Sequence, residues 1–99
     1  MGNKQVEFHE AASLEFEAAF VWYLERSERA AQRFASEVER AVELIAASPE
    51  RFPAGVRGTR RSLLQGFPFA IVYRPLRSAI QVIAVAHGRR RPNYWKARL

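Results

Sequence analysis

The pattern of hydrophobic and polar positions predicts a helical first half and a strand-rich second half. Val6 and Phe8 alternate with polar neighbours, which is the period-two pattern of a short opening strand. From about Ala11 to Arg26, apolar residues recur at helical spacing. Residues 31–46 keep a steady three-four apolar spacing with charged residues on the opposite face, which predicts an amphipathic second helix.

Cap and turn residues set the boundaries of these elements. Ser27 is placed to cap the second helix, so the two helices should fold back as a hairpin. Pro49 disfavours helical geometry at Ser48, which ends the second helix. Three strands are predicted after it, at 61–65, 67–74 and 79–87. Their connections are too short for parallel crossovers, so these three strands should form antiparallel hairpins.

The element order β-α-α-β-β-β predicts an α+β fold with two layers, a helical hairpin packed on a small, mainly antiparallel sheet. The pattern leaves open where the first strand joins that sheet. We expect a single domain over residues 1–99, because 99 residues supply one modest core and no linker or repeat interrupts them.

Composition narrows the class of protein. At 48% hydrophobic residues the chain is too apolar for a disordered one, and no apolar run approaches the roughly 20 residues of a membrane span. The start of the chain does not resemble a signal peptide. The absence of Cys excludes disulfides, thiolate metal sites and Cys nucleophiles. We therefore expect a cytoplasmic protein with no membrane contact, no metal and no cofactor.

Charge divides the chain more sharply than hydrophobicity does. Residues 1–50 hold all ten acids, every one a Glu, against five Lys and Arg. Residues 51–99 hold eleven Lys and Arg and no acid, a net charge of +11. So many uncompensated cations attract a polyanion or an acidic protein. The alternatives are that they serve solubility or pair with the Glu residues of the first half.

The basic residues of the second half are the main candidates for chemistry. Guanidinium groups that converge on one place bind phosphates. Tyr94 or Trp95 could stack on a base, unless these side chains pack against the domain. His87, at a strand end, suits a structural hydrogen bond better than a catalytic one. The helical Glu residues have the pattern of a solvated face. The expected target- or anion-binding set is Arg57, Arg60, Arg61, Arg74, Arg89, Arg90, Arg91 and Lys96.

Two segments give the sequence a family resemblance. Pro68-Phe-Ala-Ile-Val-Tyr-Arg is followed by His87-Gly-Arg-Arg-Arg-Pro-Asn-Tyr-Trp, and the elements around them fit over nearly the whole chain. With these motifs the chain resembles the RelE/ParE superfamily of toxins from bacterial type II toxin–antitoxin systems. The resemblance implies a cytoplasmic toxin with a co-expressed antitoxin.

The superfamily divides by target. In RelE-like members, which cleave messenger RNA on the ribosome, the resemblance places candidate catalytic residues at Arg61 (or Arg60), His87, Arg89 and Tyr94 (or Trp95). Those members usually carry an Arg where this chain has Ala70. ParE-like members inhibit DNA gyrase and need no such set, so Ala70 favours growth arrest through gyrase. A ribosome-dependent endoribonuclease and a harmless nucleic-acid-binding module remain as alternatives.

The first helix suggests where an antitoxin binds. It is apolar over more of its circumference than one core-facing stripe requires. We expect an acidic antitoxin to contact residues of this helix, against the alternative that they fill a wider core. The expected contact residues are Phe16, Phe20, Trp22 and Tyr23.

Overall fold

A computed structural model describes residues 4–99 of the chain. Its regular elements are β1 (Gln5–Phe8), α1 (Glu10–Leu24), α2 (Glu28–Ala47), β2 (Arg60–Leu63), β3 (Phe69–Pro75) and β4 (Ala79–His87). Two short 3-10 helices, Val56–Gly58 and Tyr94–Arg98, complete the described chain. The predicted order and the predicted α+β class are confirmed.

Side-chain caps explain where both helices begin. The Oγ of Ser27 accepts a hydrogen bond from the Ala30 N–H at 3.1 Å, which confirms the predicted cap of α2. The Nδ1 of His9 does the same for α1, accepting from the Ala11 N–H at 3.0 Å. The predicted α2 stripe is buried, and its fully or nearly fully buried members are Ala31, Phe34, Val38, Ala41 and Ile45.

The sheet has the strand order β1-β4-β3-β2. The pairs β2–β3 and β3–β4 are antiparallel, as expected for strands joined by short turns. β1 runs parallel to the first half of β4, with Val6 opposite Ile80 and Phe8 opposite Val82. The helical hairpin is therefore part of the long connection that a parallel pair requires. Beyond Val82, no strand of residues 4–99 lies beside the outer edge of β4.

Both faces of the sheet are covered. The helices pack on one face, where Ile71, Tyr73 and Val85 meet α1 and α2. On the opposite face Val72, Ile83 and Ala84 form a second cluster with Trp95 from the C-terminal 3-10 helix. Trp95 is buried, so its ring packs on the sheet and is not free to stack on a base. We call the two sides the helix face and the tail face.

Candidate functional site

Two cavities of about 410 Å³ each lie on either side of the segment that follows β4. The helix-side cavity lies between α1 and the end of β4, and its walls include Ala18, Trp22, Phe69, Val85, Arg90 and Tyr94. The tail-side cavity lies on the tail face, and its walls include Arg61, Leu63, Ala70, Arg91, Asn93 and Trp95. Arg90 and Tyr94 belong to the walls of both cavities.

The lining of the tail-side cavity is basic. Arg61 comes from β2, where it pairs with Val72 and so lies on the tail face. Arg91 comes from the segment after β4, which turns back over the sheet through Asn93, a residue with a left-handed φ of 61°. Among the described residues, those that line this cavity include no acid. An anionic group that enters therefore meets guanidinium groups without a competing carboxylate.

Ala70 lies in the wall of this cavity and is only 3% exposed. It stands on β3 opposite Leu63 of β2 and Ala86 of β4. The resemblance places an Arg at this position in the ribosome-dependent RNases. The structure therefore shows a buried methyl group in the cavity wall at the position where those RNases usually carry an Arg.

The Tyr94 hydroxyl is bound by the first helix. It donates a 2.8 Å hydrogen bond to the carboxylate of Glu15 on α1. Burial and this hydrogen bond to a carboxylate raise the pKa of Tyr94 to about 12. The Arg90 guanidinium stacks on the ring at 3.7 Å from its centroid. Tyr94 thus acts as a fixed wall between the two cavities.

Glu15 is the residue that sequence reasoning missed, because its position suggested a solvated helix face. Its carboxylate also accepts two hydrogen bonds from Arg98, at 2.8 and 3.0 Å, and one from the Val85 N–H at 2.9 Å. Burial alone would raise the pKa of Glu15, but the hydrogen bonds from Arg98, Tyr94 and Val85 outweigh it and hold that pKa below its usual value. We call Glu15, Tyr94 and Arg98 the tail clamp.

His87 lies at the end of β4 with its ring against Phe69, at 4.9 Å between centroids and nearly perpendicular. Its Nδ1 accepts the Arg89 N–H at 3.0 Å. His87 therefore makes a structural hydrogen bond, which is the role that its place at a strand end favours. Arg89 itself is exposed and does not line the tail-side cavity.

The remaining basic candidates are dispersed. Arg60 is turned toward the helix face, and its guanidinium donates to the backbone carbonyls of Phe52 and Glu50. It holds the loop before β2 and is not a free cation like Arg61. The Arg74 Nε donates to Gln81 at 3.2 Å. Arg57, in a left-handed conformation with φ 52°, is exposed, as is Lys96.

The four predicted antitoxin contacts divide into two kinds. Phe16, Phe20 and Tyr23 are half-buried and pack against the helix-face core. Phe16 also stacks on Phe34 at 5.6 Å between centroids. Trp22 differs, because it is 51% exposed and stands at the rim of the helix-side cavity, which Tyr23 also lines.

Comparison with known proteins decides the family. The family model for the ParE toxin of the type II toxin–antitoxin system parDE matches residues 6–92. The chain belongs to the ParE toxin family. A solved structure described as the chromosomal ParDE TA system from P. aeruginosa has a similar fold, with a TM-score of 0.74 and 17% sequence identity. The match covers 85% of this chain and 95% of that one. No curated protein sequence matches significantly.

Membership in the ParE family makes this chain a toxin of a type II toxin–antitoxin system and implies an antitoxin as its partner. It also agrees with the resemblance drawn from the motifs around Tyr73 and His87. Within residues 4–99, none of the helices is long and apolar enough to cross a membrane.

Proposed function

We propose that this ParE-family toxin arrests growth by inhibiting DNA gyrase and that an acidic antitoxin keeps it silent. The observation that carries the proposal is the tail-side cavity. Its lining, as far as the structure describes it, presents Arg61 and Arg91 without an opposing acid, and it has Ala70 where an RNase would need another cation. A surface of this kind can bind an anionic or acidic target without acting on it chemically.

The placement of the proton-transfer candidates supports the same choice. An RNase needs an acid and a base at the scissile phosphate in addition to cations. Tyr94 is hydrogen-bonded to Glu15 and has its pKa raised to about 12, and the His87 Nδ1 is occupied by the Arg89 N–H. Loss of a single stabilising group at such a site costs about 10²-fold or more in rate. A toxin that acts by binding alone needs no free acid or base, so these hydrogen bonds do not impair its activity.

A supercoiling assay with purified gyrase and relaxed plasmid tests the proposal. We expect the toxin to block supercoiling at roughly stoichiometric amounts, and the double variant Arg61→Glu, Arg91→Glu to lose this inhibition. Arg77→Glu, in the β3–β4 turn at the other end of the sheet, is the matched control for a change of charge. Unimpaired supercoiling together with codon-dependent messenger cleavage on ribosomes would show instead that the chain is an RNase.

A harmless nucleic-acid-binding module would behave differently from both toxins. Its affinity for DNA or RNA would fall steeply with salt because counterions are released on binding. Expression without any partner gene would not slow growth. Growth arrest on such expression therefore separates the proposal from this alternative before any target is identified.

A further inference from the structure

The exposed side of α2 carries three cations, although the first half of the chain is acidic overall. Arg29, Arg33 and Arg40 follow one another at spacings of four and seven residues, which places them on one side of the helix. All three are exposed. With the turn at residues 65–67 they line an open groove of about 700 Å³, which we call the α2 groove. Its other polar side chains are Gln32, Ser36, Glu37 and Gln65.

Glu37, the one acid among the described residues of this lining, is already neutralised. Its carboxylate accepts two hydrogen bonds from Arg40, at 2.7 and 2.9 Å, and one from the Gln65 N–H at 2.6 Å. The bond to Gln65 also fixes the turn at residues 65–67 against the helix. The groove is therefore formed before a ligand enters it, and a preformed site loses little side-chain freedom on binding.

Arg29 and Arg33 are the free cations of the α2 groove. Within residues 4–99, neither of them takes part in an ion pair with a carboxylate within 4.0 Å. They lie one helical turn apart, and like charges at this spacing destabilise a helix. Arg29 also lies in the first turn of α2, where the helix dipole disfavours a cation. An anion bound between the two guanidinium groups would offset both effects.

The lining favours a polyanion over a protein segment. Its described side chains are polar or charged except for Phe67, whose ring packs on Phe34 and Tyr23 at 5.4 and 5.2 Å between centroids. A protein interface needs a buried apolar anchor, which this described lining does not provide. Arg, Gln and Ser are instead side chains that contact phosphates in nucleic acids. Because the Phe67 ring is already packed, it offers no platform on which the bases of a single strand could stack.

The length of the groove suits the backbone of a duplex. At a rise of about 1.5 Å per residue, Arg29 and Arg40 lie about 16 Å apart along α2. A DNA strand advances about 3.4 Å per phosphate along the duplex axis, so this length corresponds to about five phosphates. Phe67 lines the tail-side cavity as well, so the two basic surfaces adjoin at the 65–67 turn.

We propose that the α2 groove binds the sugar-phosphate backbone of duplex DNA, with Arg29 and Arg33 on phosphates and without reading the base sequence. This contact is separate from the gyrase contact proposed above, which uses the tail-side cavity. The choice of DNA over duplex RNA rests on the proposed function, because gyrase acts on duplex DNA. A toxin with both contacts touches gyrase and its DNA at the same time.

Fluorescence anisotropy tests the α2 groove, with full-length toxin titrated into a labelled DNA duplex of arbitrary sequence at several salt concentrations. The double variant Arg29→Ala, Arg33→Ala should bind about 10-fold or more weakly at about 0.1 M NaCl. The slope of log affinity against log salt should become shallower by about 1.8, which is about 0.9 for each lost phosphate contact. Alanine is the best helix former, so this variant should keep its fold.

The double variant Arg51→Ala, Arg77→Ala is the matched control, since it loses the same charge at exposed positions outside the groove. Its slope should change by less than about 0.5. Equal losses in the two double variants would overturn the inference, because net charge alone would then explain the binding. Tighter binding of an RNA duplex of the same sequence would overturn the choice of DNA.

Two further outcomes separate this inference from neighbouring ones. If Arg29→Ala, Arg33→Ala binds DNA as the wild type does but binds the antitoxin more weakly, the groove is a protein contact and the inference is wrong. The DNA titrations contain no gyrase. A toxin that binds DNA through the α2 groove and fails to inhibit gyrase would therefore refute the proposed target and leave the DNA contact standing.

Discussion

The carboxylate of Glu15, on the first helix, accepts both terminal N–H groups of Arg98, which lies 83 residues farther along the chain. The same Arg98 donates to the Ile83 carbonyl at 2.9 Å, and Glu15 accepts the Val85 N–H. These two backbone groups lie on the part of β4 that β1 does not cover. The ion pair therefore fixes the tail and also occupies hydrogen-bonding groups of an open strand edge, which discourages pairing with other chains.

Glu15→Ala should destabilise the protein and loosen its tail. The substitution removes four hydrogen bonds and leaves Arg98 without its acid, so we expect a loss of about 3 kcal/mol in the free energy of unfolding. Thermal unfolding measures this as a drop of about 12 °C or more in Tm for a domain of this size. Glu39→Ala, on the exposed face of α2, is the control. Equal Tm values for the two variants would contradict the clamp.

The same carboxylate predicts a pH dependence of stability. The pKa of Glu15 is lower in the folded protein than in the unfolded chain, so its contribution is complete above about pH 5 and is lost as the pH falls through the folded value. The stability difference between wild type and Glu15→Gln should therefore be constant near neutrality and shrink below about pH 4. Urea unfolding over a pH series measures it. A difference that stays constant down to pH 2 would mean that Glu15 carries no depressed pKa.

Substitutions of the neighbouring residues Arg60 and Arg61 should have opposite effects on stability and on toxicity. Arg60→Ala should cost about 2 kcal/mol of stability, because its guanidinium holds the carbonyls of Glu50 and Phe52. Arg61→Ala should change stability by less than about 0.5 kcal/mol, because its side chain is exposed, yet it should weaken growth arrest. Chemical denaturation and a growth assay on the same two variants check this. The reverse pattern would mean that Arg61 is not part of the surface that binds the target.

Phe20 and Trp22 lie on different sides of α1, Phe20 against the core and Trp22 at the surface. Phe20 is half-buried and packs on the core beside Phe16, at 6.1 Å between ring centroids. Phe20→Ala should therefore lower the free energy of unfolding by about 3 kcal/mol. Trp22→Ala should lower it by less than about 1 kcal/mol, because half of that side chain is already in water. Calorimetric melting of both variants decides the matter, and similar losses would mean that Trp22 belongs to the core.

Local signals in the sequence predicted most of the fold. The α2 stripe, the Ser27 cap and the antiparallel strands follow from periodicity and short turns. The parallel pairing of β1 did not follow, because a four-residue strand carries no signal for its neighbour. The predicted strand at 67–74 begins at Phe69 in the structure, since Gly66 takes a positive φ of 81° and the turn extends through Pro68.

The candidate site was harder to predict, because its contacts join residues far apart in the chain. Glu15 looks like any other Glu on a helix, and nothing local shows that Arg98 and Tyr94 will meet it. Arg60 and Arg61 have the same side chain, and only the sheet register places them on opposite faces. The exposure of Trp22 could be predicted from the sequence, since Trp22 lies off the core-facing stripe of a helix that is apolar on most sides.

Induction of the toxin alone in a bacterium, with plasmid supercoiling and messenger 5′ ends measured in the same cells, tests the central claim most directly. The gyrase proposal predicts growth arrest, loss of negative supercoiling in the reporter plasmid and unchanged messenger ends. The antitoxin expressed alongside should restore both growth and supercoiling. Normal supercoiling with new, codon-dependent messenger ends in arrested cells would contradict the proposal.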